Sequence, residues 1–211
     1  MERIAGVVLA GGRARRMGGG DKGVLRIGGV PILARVITRL APHCAALAIS
    51  ANGDPARFAG FGLPVIADTL PDRPGPLAGV LAGLDWAAGQ GFAAVVTAAA
   101  DTPFLPGDLV PRLREAAGSR LALAASPDET GAVRLHPTCG LWPVALRHEL
   151  RAALESGVRR AGFWAEGQGA ARAVFASDPG APDPFFNVNT PEDLAKADKI
   201  LFTPPSGRPG H

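Results

Sequence analysis

The chain has 211 residues, of which 47% are hydrophobic and 19% charged, so it can bury a sizeable core and does not have the composition of a disordered protein. Only 6% of the residues are aromatic, and they do not alternate with basic residues as a platform for single-stranded nucleic acid would require. We therefore expect no nucleic-acid partner.

Positive charge is concentrated near the N-terminus. The formal net charge of the whole chain is +3. Residues 1–43 hold eight basic and two acidic side chains, a net charge of +6, so the rest of the chain carries −3. A basic N-terminal region favours an anionic ligand there.

The two cysteines and the hydropathy indicate the compartment. Cys44 and Cys139 form neither a CxxC pair nor a metal-binding spacing, so we predict free thiols in a reducing environment. The apolar runs are too short for a transmembrane helix, and the N-terminus lacks the order of a signal peptide. These features predict a cytoplasmic protein with no membrane partner.

Hydrophobic periodicity and turn residues predict strands alternating with helices. In chain order these are strand 4–10, helix 30–42, strands 45–50 and 63–68, helix 76–88, strand 92–101, helix 107–117, strands 120–125 and 133–142, helices 143–156 and 159–166, strand 170–176, and helix 190–201. This alternation predicts an α/β fold with a mostly parallel sheet covered on both faces. We expect one domain over 1–202 and a flexible tail over 203–211.

Glycine or polar residues follow four of the apolar strands. They are Gly11–Gly12, Asn52, Asp68 and Asp101. Because ligands of parallel sheets bind outside the carboxyl ends of the strands, these positions are candidates for a binding site.

The stretch VVLAGGRARRMGGGDKG at residues 7–23 combines glycines with cations at the end of the first strand. It is not a P-loop, because Lys22 follows an aspartate rather than a glycine, and its G-x-G-x-x-G match at 18–23 begins too far from the strand for a dinucleotide fingerprint. Glycines at 11 and 12 let backbone N–H groups approach a phosphate, and Arg16 and Lys22 can neutralise its oxygens. We interpret the stretch as a phosphate-binding loop.

Three further residues, Asp101, Asn52 and Asp68, have the chemistry of a nucleotide site. Asp101, in AAADTP, is a candidate Mg²⁺ ligand, although Asp-Thr-Pro also favours a plain turn. Asn52 and Asp68 can bond a base edge or a ribose, or serve only as turn residues. We interpret His136, in HPTCGLW, as a structural or ligand-positioning residue rather than a base.

The segment FFNVNTPEDL at 185–194 divides into two parts. Thr190 and Asp193 have the spacing of a helix-capping pair, which accounts for them without any function. Asn187 and Asn189 are not explained in this way, and in an extended segment both project to one side.

Taken in order, LAGGRARRMGGGDKG, GPLAG, DTPFLP, HPT and NVNTPEDL resemble the molybdenum cofactor guanylyltransferases, within the glycosyltransferase-A-like nucleotidyltransferases. The resemblance covers about residues 4–201 and is weakest over 118–134. It implies a three-layer α/β/α fold with a mostly parallel, Rossmann-like sheet of the nucleotidyltransferase type. It also implies that GMP is transferred from GTP to the phosphate of molybdenum-molybdopterin, with release of pyrophosphate.

The resemblance assigns roles to residues by motif. Arg16, Lys22 and Asp101 would be the catalytic residues, with Asp101 binding Mg²⁺ beside the α-phosphate. The GTP-binding residues would be Leu9, Ala10, Gly11, Gly12, Lys22, Asn52, Asp68 and Asp101. The pterin side would hold Asn187, Asn189, Arg159 and Arg160.

The expected partners are GTP, molybdenum-molybdopterin, and molybdoenzymes or their chaperones, and we expect a monomer. Three alternatives stay open: a cytidylyltransferase for the same pterin, a sugar-phosphate nucleotidyltransferase, and a non-catalytic nucleotide-binding adaptor. Glycines at both 11 and 12 resemble the guanylyl group, whereas cytidylyl relatives commonly have Ala-Gly.

Overall fold

A central sheet and its flanking helices account for most of the ordered elements. The structure, a computed structural model, describes residues 3–11, 22–70, 75–128, 130–177 and 181–202, with Lys22 described for its backbone only. The predicted tail at 203–211 lies outside this part of the chain. Within the described ranges the strands are β1 Ile4–Leu9, β2 Arg26–Ile27, β3 Val30–Pro31, β4 Ala46–Ser50, β5 Val65–Ile66, β6 Ala94–Ala99, β7 Ala122–Pro127, β8 Val133–Pro143 and β9 Ala171–Val174.

The α-helices of the same ranges follow the predicted pattern. They are α1 Ile32–Leu40, α2 Pro76–Gly89, α3 Leu109–Ala117, α4 Arg147–Glu155, α5 Ala161–Gly167 and α6 Pro191–Phe202. The predicted strand at 63–68 is reduced to the two residues of β5, and 3-10 turns at 41–43 and 144–146 flank α1 and α4. In this part of the chain, no helix is long and apolar enough to cross a bilayer.

Seven strands form one sheet in the order β5-β4-β1-β6-β8-β7-β9. β8 runs antiparallel to both of its neighbours, whereas the β1–β4, β1–β6, β4–β5 and β7–β9 pairs are parallel. The mostly parallel sheet predicted from the alternating elements is therefore confirmed.

Alternate residues of the strands pack into two separate hydrophobic clusters. On β1, Val8 packs in the cluster that contains residues of α1 and α3, and Val7 packs with residues of α2, α4 and α5. Because successive side chains of a strand point to opposite faces, helices cover both faces of the sheet. The result is the three-layer α/β/α arrangement that the sequence predicted.

A short hairpin and the last helix form a small additional cluster. The hairpin of β2 and β3 was not predicted from the sequence. Its Ile27 is buried with Val188 and Ala197, and the backbone N of Gly28 donates to Asp198 Oδ1 of α6 at 2.7 Å. The hairpin comes shortly after the predicted phosphate-binding loop of residues 7–23 in the sequence. Its hydrogen bond to α6 therefore anchors the chain just after that stretch.

The start of α6 has the predicted cap. Thr190 Oγ1 accepts a hydrogen bond from the Asp193 backbone N at 3.1 Å, and Asp193 Oδ2 accepts from the Thr190 backbone N at 2.9 Å. Asp193 Oδ2 also accepts from the backbone N of Asn189 at 2.9 Å. These hydrogen bonds lower the pKa of the Asp193 carboxyl, the largest contribution coming from the Asn189 amide.

Close packing at Gly140 gives a test of the sheet. A Cβ at this position of β8 would lie 2.9 Å from the backbone oxygen of Ala122 and 2.7 Å from Leu123 Cδ2. Since the backbone oxygen cannot move away, we expect Gly140→Ala to lower the free energy of unfolding by about 1–3 kcal/mol. Denaturant unfolding of the purified protein measures this.

Gly89→Ala is the control for that substitution. Gly89 ends α2, and a Cβ there would meet none of the described atoms within 4 Å. We expect no loss of stability from this change, since alanine favours a helix more than glycine does. Equal losses from both variants would contradict the packing argument.

Candidate functional site

The carboxyl ends of three parallel strands lie side by side. Leu9, the last residue of β1, is in register with Ser50 of β4 and Ala99 of β6. The pairing continues past the strands, because Ala10 N donates to the Ser50 oxygen at 2.8 Å and Ala100 N donates to the Leu9 oxygen at 3.0 Å. The residues that follow the strands therefore share one edge of the sheet.

Among the described residues, the space next to Gly11 after the end of β1 is not filled. Gly11 is exposed, and a Cβ on it would meet none of the described atoms within 4 Å. The chain is described again from residue 22, and a Cβ on Gly23 would lie 3.2 Å from the Cβ atoms of Ala100 and Leu33. Both Gly11 and Gly23 thus lie beside the ends of β1 and β6. Gly12, Arg16 and the side chain of Lys22 lie outside the described residues.

Asn52 and Asp68 contact each other directly. Asn52 Nδ2 donates to Asp68 Oδ2 at 2.7 Å, and the Asp68 backbone N donates to Asn52 Oδ1 at 3.0 Å. The Asn52 backbone oxygen also accepts from Arg57 Nη2 at 2.6 Å. Both side chains are half-buried and follow neighbouring parallel strands, so the structure brings these two predicted residues together beside β1.

Asp101 is joined to the segment that carries the two asparagines. The Asp101 backbone oxygen accepts from Val188 N at 2.9 Å, and Thr102 Oγ1 donates to Asn187 Oδ1 at 2.9 Å. Asn187 is half-buried at this contact, whereas Asn189 is exposed. Thr102, which is 1% exposed, was missed by sequence reasoning because its partner lies 85 residues away along the chain.

Arg159 and Arg160 lie in the connection between α4 and α5, and both are exposed. Arg159 Nη1 donates to the backbone oxygens of Leu154 and Val158 at 2.8 and 2.9 Å. A Cβ on Gly162 would lie 3.3 Å from Pro137 Cγ, so the start of α5 contacts the residue next to His136. The start of α5, which directly follows the two arginines, therefore lies against β8.

His136, which precedes Pro137 on β8, is buried. The pKa of its imidazole is lowered from 6.5 to about 4, mainly by burial and also by the nearby charge of Arg134, whereas Asp183 acts in the opposite direction. The ring is therefore neutral at neutral pH. This agrees with the interpretation of His136 as a structural or positioning residue.

The described residues offer one carboxylate at the end of β6 and no preformed metal cage. Among the residues that the structure describes, no cluster of three or more His, Cys, Asp or Glu side chains has metal-binding geometry. Magnesium commonly binds through one or two carboxylates together with substrate phosphates. A half-buried Asp101 at the carboxyl end of β6 fits a cation that arrives with its substrate.

The sequence matches a known domain family over most of its length. Residues 6–172 match the MobA-like NTP transferase domain. The chain belongs to this family. The matched range contains the ends of β1, β4, β5 and β6, with Asn52, Asp68 and Asp101, and ends within β9.

Relatives in this family are similar over nearly their whole length. A molybdenum cofactor guanylyltransferase of Cereibacter sphaeroides is 53% identical over 199 residues, covering 94% of this chain and 97% of that protein. One from Nitrobacter hamburgensis is 51% identical over 201 residues, covering 92% of this chain and 93% of the other. The family resemblance predicted from the ordered motifs is confirmed, and the chain is a nucleotidyltransferase.

Solved structures support the fold. Molybdopterin-guanine dinucleotide biosynthesis protein A from Archaeoglobus fulgidus superimposes with a TM-score of 0.68 at 22% identity, covering 94% of this chain and 98% of that one. A 4-diphosphocytidyl-2C-methyl-D-erythritol synthase gives a TM-score of 0.68 at 17% identity, with coverages of 94% and 99%. The nucleotidyltransferase type of sheet is therefore confirmed.

The buried imidazole gives a pH prediction. His136 binds its proton near pH 4 in the folded chain and near its ordinary value of 6.5 when unfolded, so the unfolded state holds more protons between these values. The resulting stability is fully present above pH 6.5 and is lost as pH falls towards 4. Arg134 and Asp183 are the charged groups that act on the ring.

Denaturant unfolding of wild type and His136→Phe across this pH range measures the effect. We expect the wild-type free energy of unfolding to fall more steeply than that of the variant between pH 6.5 and 4. Parallel curves would show that His136 does not hold a neutral ring in the fold.

Proposed function

We propose that this chain transfers GMP from GTP to the phosphate of molybdenum-molybdopterin. A phosphate oxygen of the acceptor bonds to the α-phosphorus, and the bond to the β-phosphate oxygen breaks, so the products are the guanine dinucleotide cofactor and pyrophosphate. The observation that carries this proposal is the 53% identity, over 94% of the chain, to a molybdenum cofactor guanylyltransferase.

The nucleotide would lie at the ends of β1, β4 and β5. Residues Leu9 to Gly12 would present backbone groups to it, and none of the described atoms blocks such an approach at the exposed Gly11. Asn52 and Asp68 would contact the base edge or ribose. Their paired hydrogen bonds fix the Asp68 carboxylate, while its Oδ1 accepts nothing from the described residues.

The phosphates would lie between the ends of β1 and β6. Asp101 would hold Mg²⁺ there, and a bound Mg²⁺ would neutralise charge on the α-phosphate and the leaving pyrophosphate. Arg16 and Lys22 would contact the phosphate oxygens. Support for this comes from Gly11 and Gly23, since the chain leaves and returns beside these two strand ends.

The acceptor would approach from the β8 side. Asn187 and Asn189 would contact the pterin, and Arg159 and Arg160 would contact its phosphate. The link between Thr102 and Asn187 supports this arrangement, because it places an amide next to the residue that follows Asp101. Molybdoenzymes or their chaperones would receive the product from a monomeric enzyme in the cytoplasm.

This reaction needs no protein base. The attacking phosphate oxygen is already anionic, so catalysis consists of holding two anions in line and neutralising their charge. The neutral, buried His136 is consistent with this, because it neither accepts a proton near pH 7 nor faces open solvent.

Asp101→Ala tests the metal site. Because this change removes the carboxylate that would hold Mg²⁺, we expect GMP transfer to fall by at least about a hundredfold while the variant still folds. Pyrophosphate release with GTP, Mg²⁺ and the molybdenum-loaded pterin measures this. Asp108→Ala is the control, since Asp108 is an exposed carboxylate before α3 that pairs with Arg112. Wild-type turnover of Asp101→Ala would overturn the assignment.

A panel of nucleotides tests the substrate. Ligands that bind only the folded state raise the melting temperature, so GTP with Mg²⁺ should stabilise the protein more than CTP, ATP or UTP. We expect Asp68→Asn to weaken the GTP effect, since it replaces the carboxylate that Asn52 orients. Preferential stabilisation and transfer with CTP would instead identify a cytidylyltransferase.

A further inference from the structure

A buried histidine supports the segment that carries Asn187. His136 on β8 is 6% exposed, and its Nε2 lies 2.7 Å from Ser126 Oγ on β7. Its ring stacks on Phe185, with 4.1 Å between the ring centroids and 18° between the planes. The ring of Phe175 in turn contacts that of Phe185 edge-on, with 5.4 Å between the ring centroids. One hydrogen bond and one stack therefore fix the orientation of the imidazole.

The stack is connected to the candidate site through a few residues. Phe185 lies two positions before Asn187, whose Oδ1 accepts from Thr102 Oγ1. The next residue, Val188, donates its backbone N to the Asp101 oxygen at 2.9 Å. Any displacement of Phe185 would thus act directly on the contacts that join Asn187 to the end of β6.

We propose that His136 is a positioning residue for the acceptor side of the reaction, which supports Phe185 and thereby sets the place of Asn187 relative to Asp101. The inference rests on the proposed function for the identity of the acceptor. In this role His136 does not touch the reacting atoms, and no proton passes through it.

The chemistry of histidine suits this position. A planar ring gives Phe185 a stacking surface, and a ring nitrogen satisfies the buried Ser126 hydroxyl, which would otherwise lack this partner. Burial keeps the ring neutral, so the stack carries no buried charge at neutral pH. Glutamine would keep a polar group for Ser126 without the ring, and phenylalanine would keep the ring without the polar group.

Those two substitutions separate positioning from stability. We expect His136→Gln, which removes the stack, to raise KM for the pterin acceptor about tenfold, because small displacements of a positioning group are costly. KM for GTP should stay at the wild-type value. His136→Phe should restore the acceptor KM most of the way, even though it loses the hydrogen bond to Ser126 and some stability.

Trp142→Phe is the matched control. Trp142 is also on β8 and fully buried, its Nε1 donates to Thr97 Oγ1 at 2.8 Å, and it stacks near Trp164 in the other layer of core. Its loss of a buried hydrogen bond should lower the free energy of unfolding and leave both KM values unchanged. If both KM values rose equally in His136→Gln and Trp142→Phe, loss of stability alone would explain the effect. That result would overturn the proposal.

Hydrogen exchange provides a readout that does not depend on turnover. The Val188 amide, which donates to Asp101, should exchange faster in His136→Gln and at the wild-type rate in Trp142→Phe. If His136→Gln does not fold, Phe185→Leu removes the stack from the other side and should show the same changes. Wild-type exchange in these stack-deficient variants overturns the inference. Wild-type protein that makes no guanine dinucleotide would overturn the proposed function instead.

Discussion

The placement of β1 between β4 and β6 is the constraint on which the candidate site depends. Because Leu9 is in register with both Ser50 and Ala99, three parallel strands end at the same level. Backbone hydrogen bonds at Ala10 and Ala100 extend this alignment by one residue beyond the strands. A slip of one residue would turn the side chains of β1 to the wrong faces and also move the site, so core packing and site geometry are set by the same register.

Local sequence patterns were sufficient for most of the fold. The apolar run that became β1 ends at glycines, and the capping pair of Thr190 and Asp193 fixed the start of α6. The two-residue strands β2 and β3 gave no such signal, because periodicity needs a longer segment. Their position depends on distant contacts such as the bond from Gly28 to Asp198.

The candidate site, like the fold, has features that local sequence predicts and features that depend on contacts between distant segments. Asn52, Asp68 and Asp101 were identifiable because each follows a strand, and parallel strands bring their carboxyl ends together. The partnership of Thr102 with Asn187 was not identifiable, since it joins residues far apart in sequence. The stack of His136 on Phe185 was hidden for the same reason, and the motif HPT indicated only that the histidine had a role. Residue types thus predicted the chemistry, while tertiary contacts determined which groups support one another.

The charges of the site explain why its parts come from distant segments. The side chains described at the ends of β4, β5 and β6 include two carboxylates and an amide, none of which can neutralise a triphosphate. Cationic groups must therefore come from other segments. Arg57 donates to the Asn52 backbone oxygen, and the basic residues near the N-terminus and between α4 and α5 lie on either side of Asp101 in the sequence. Two anionic substrates that must meet at one phosphorus repel each other until such groups surround them. The neutral His136 meets this requirement, because it supports the segment that carries Asn187 without adding a charge to the site.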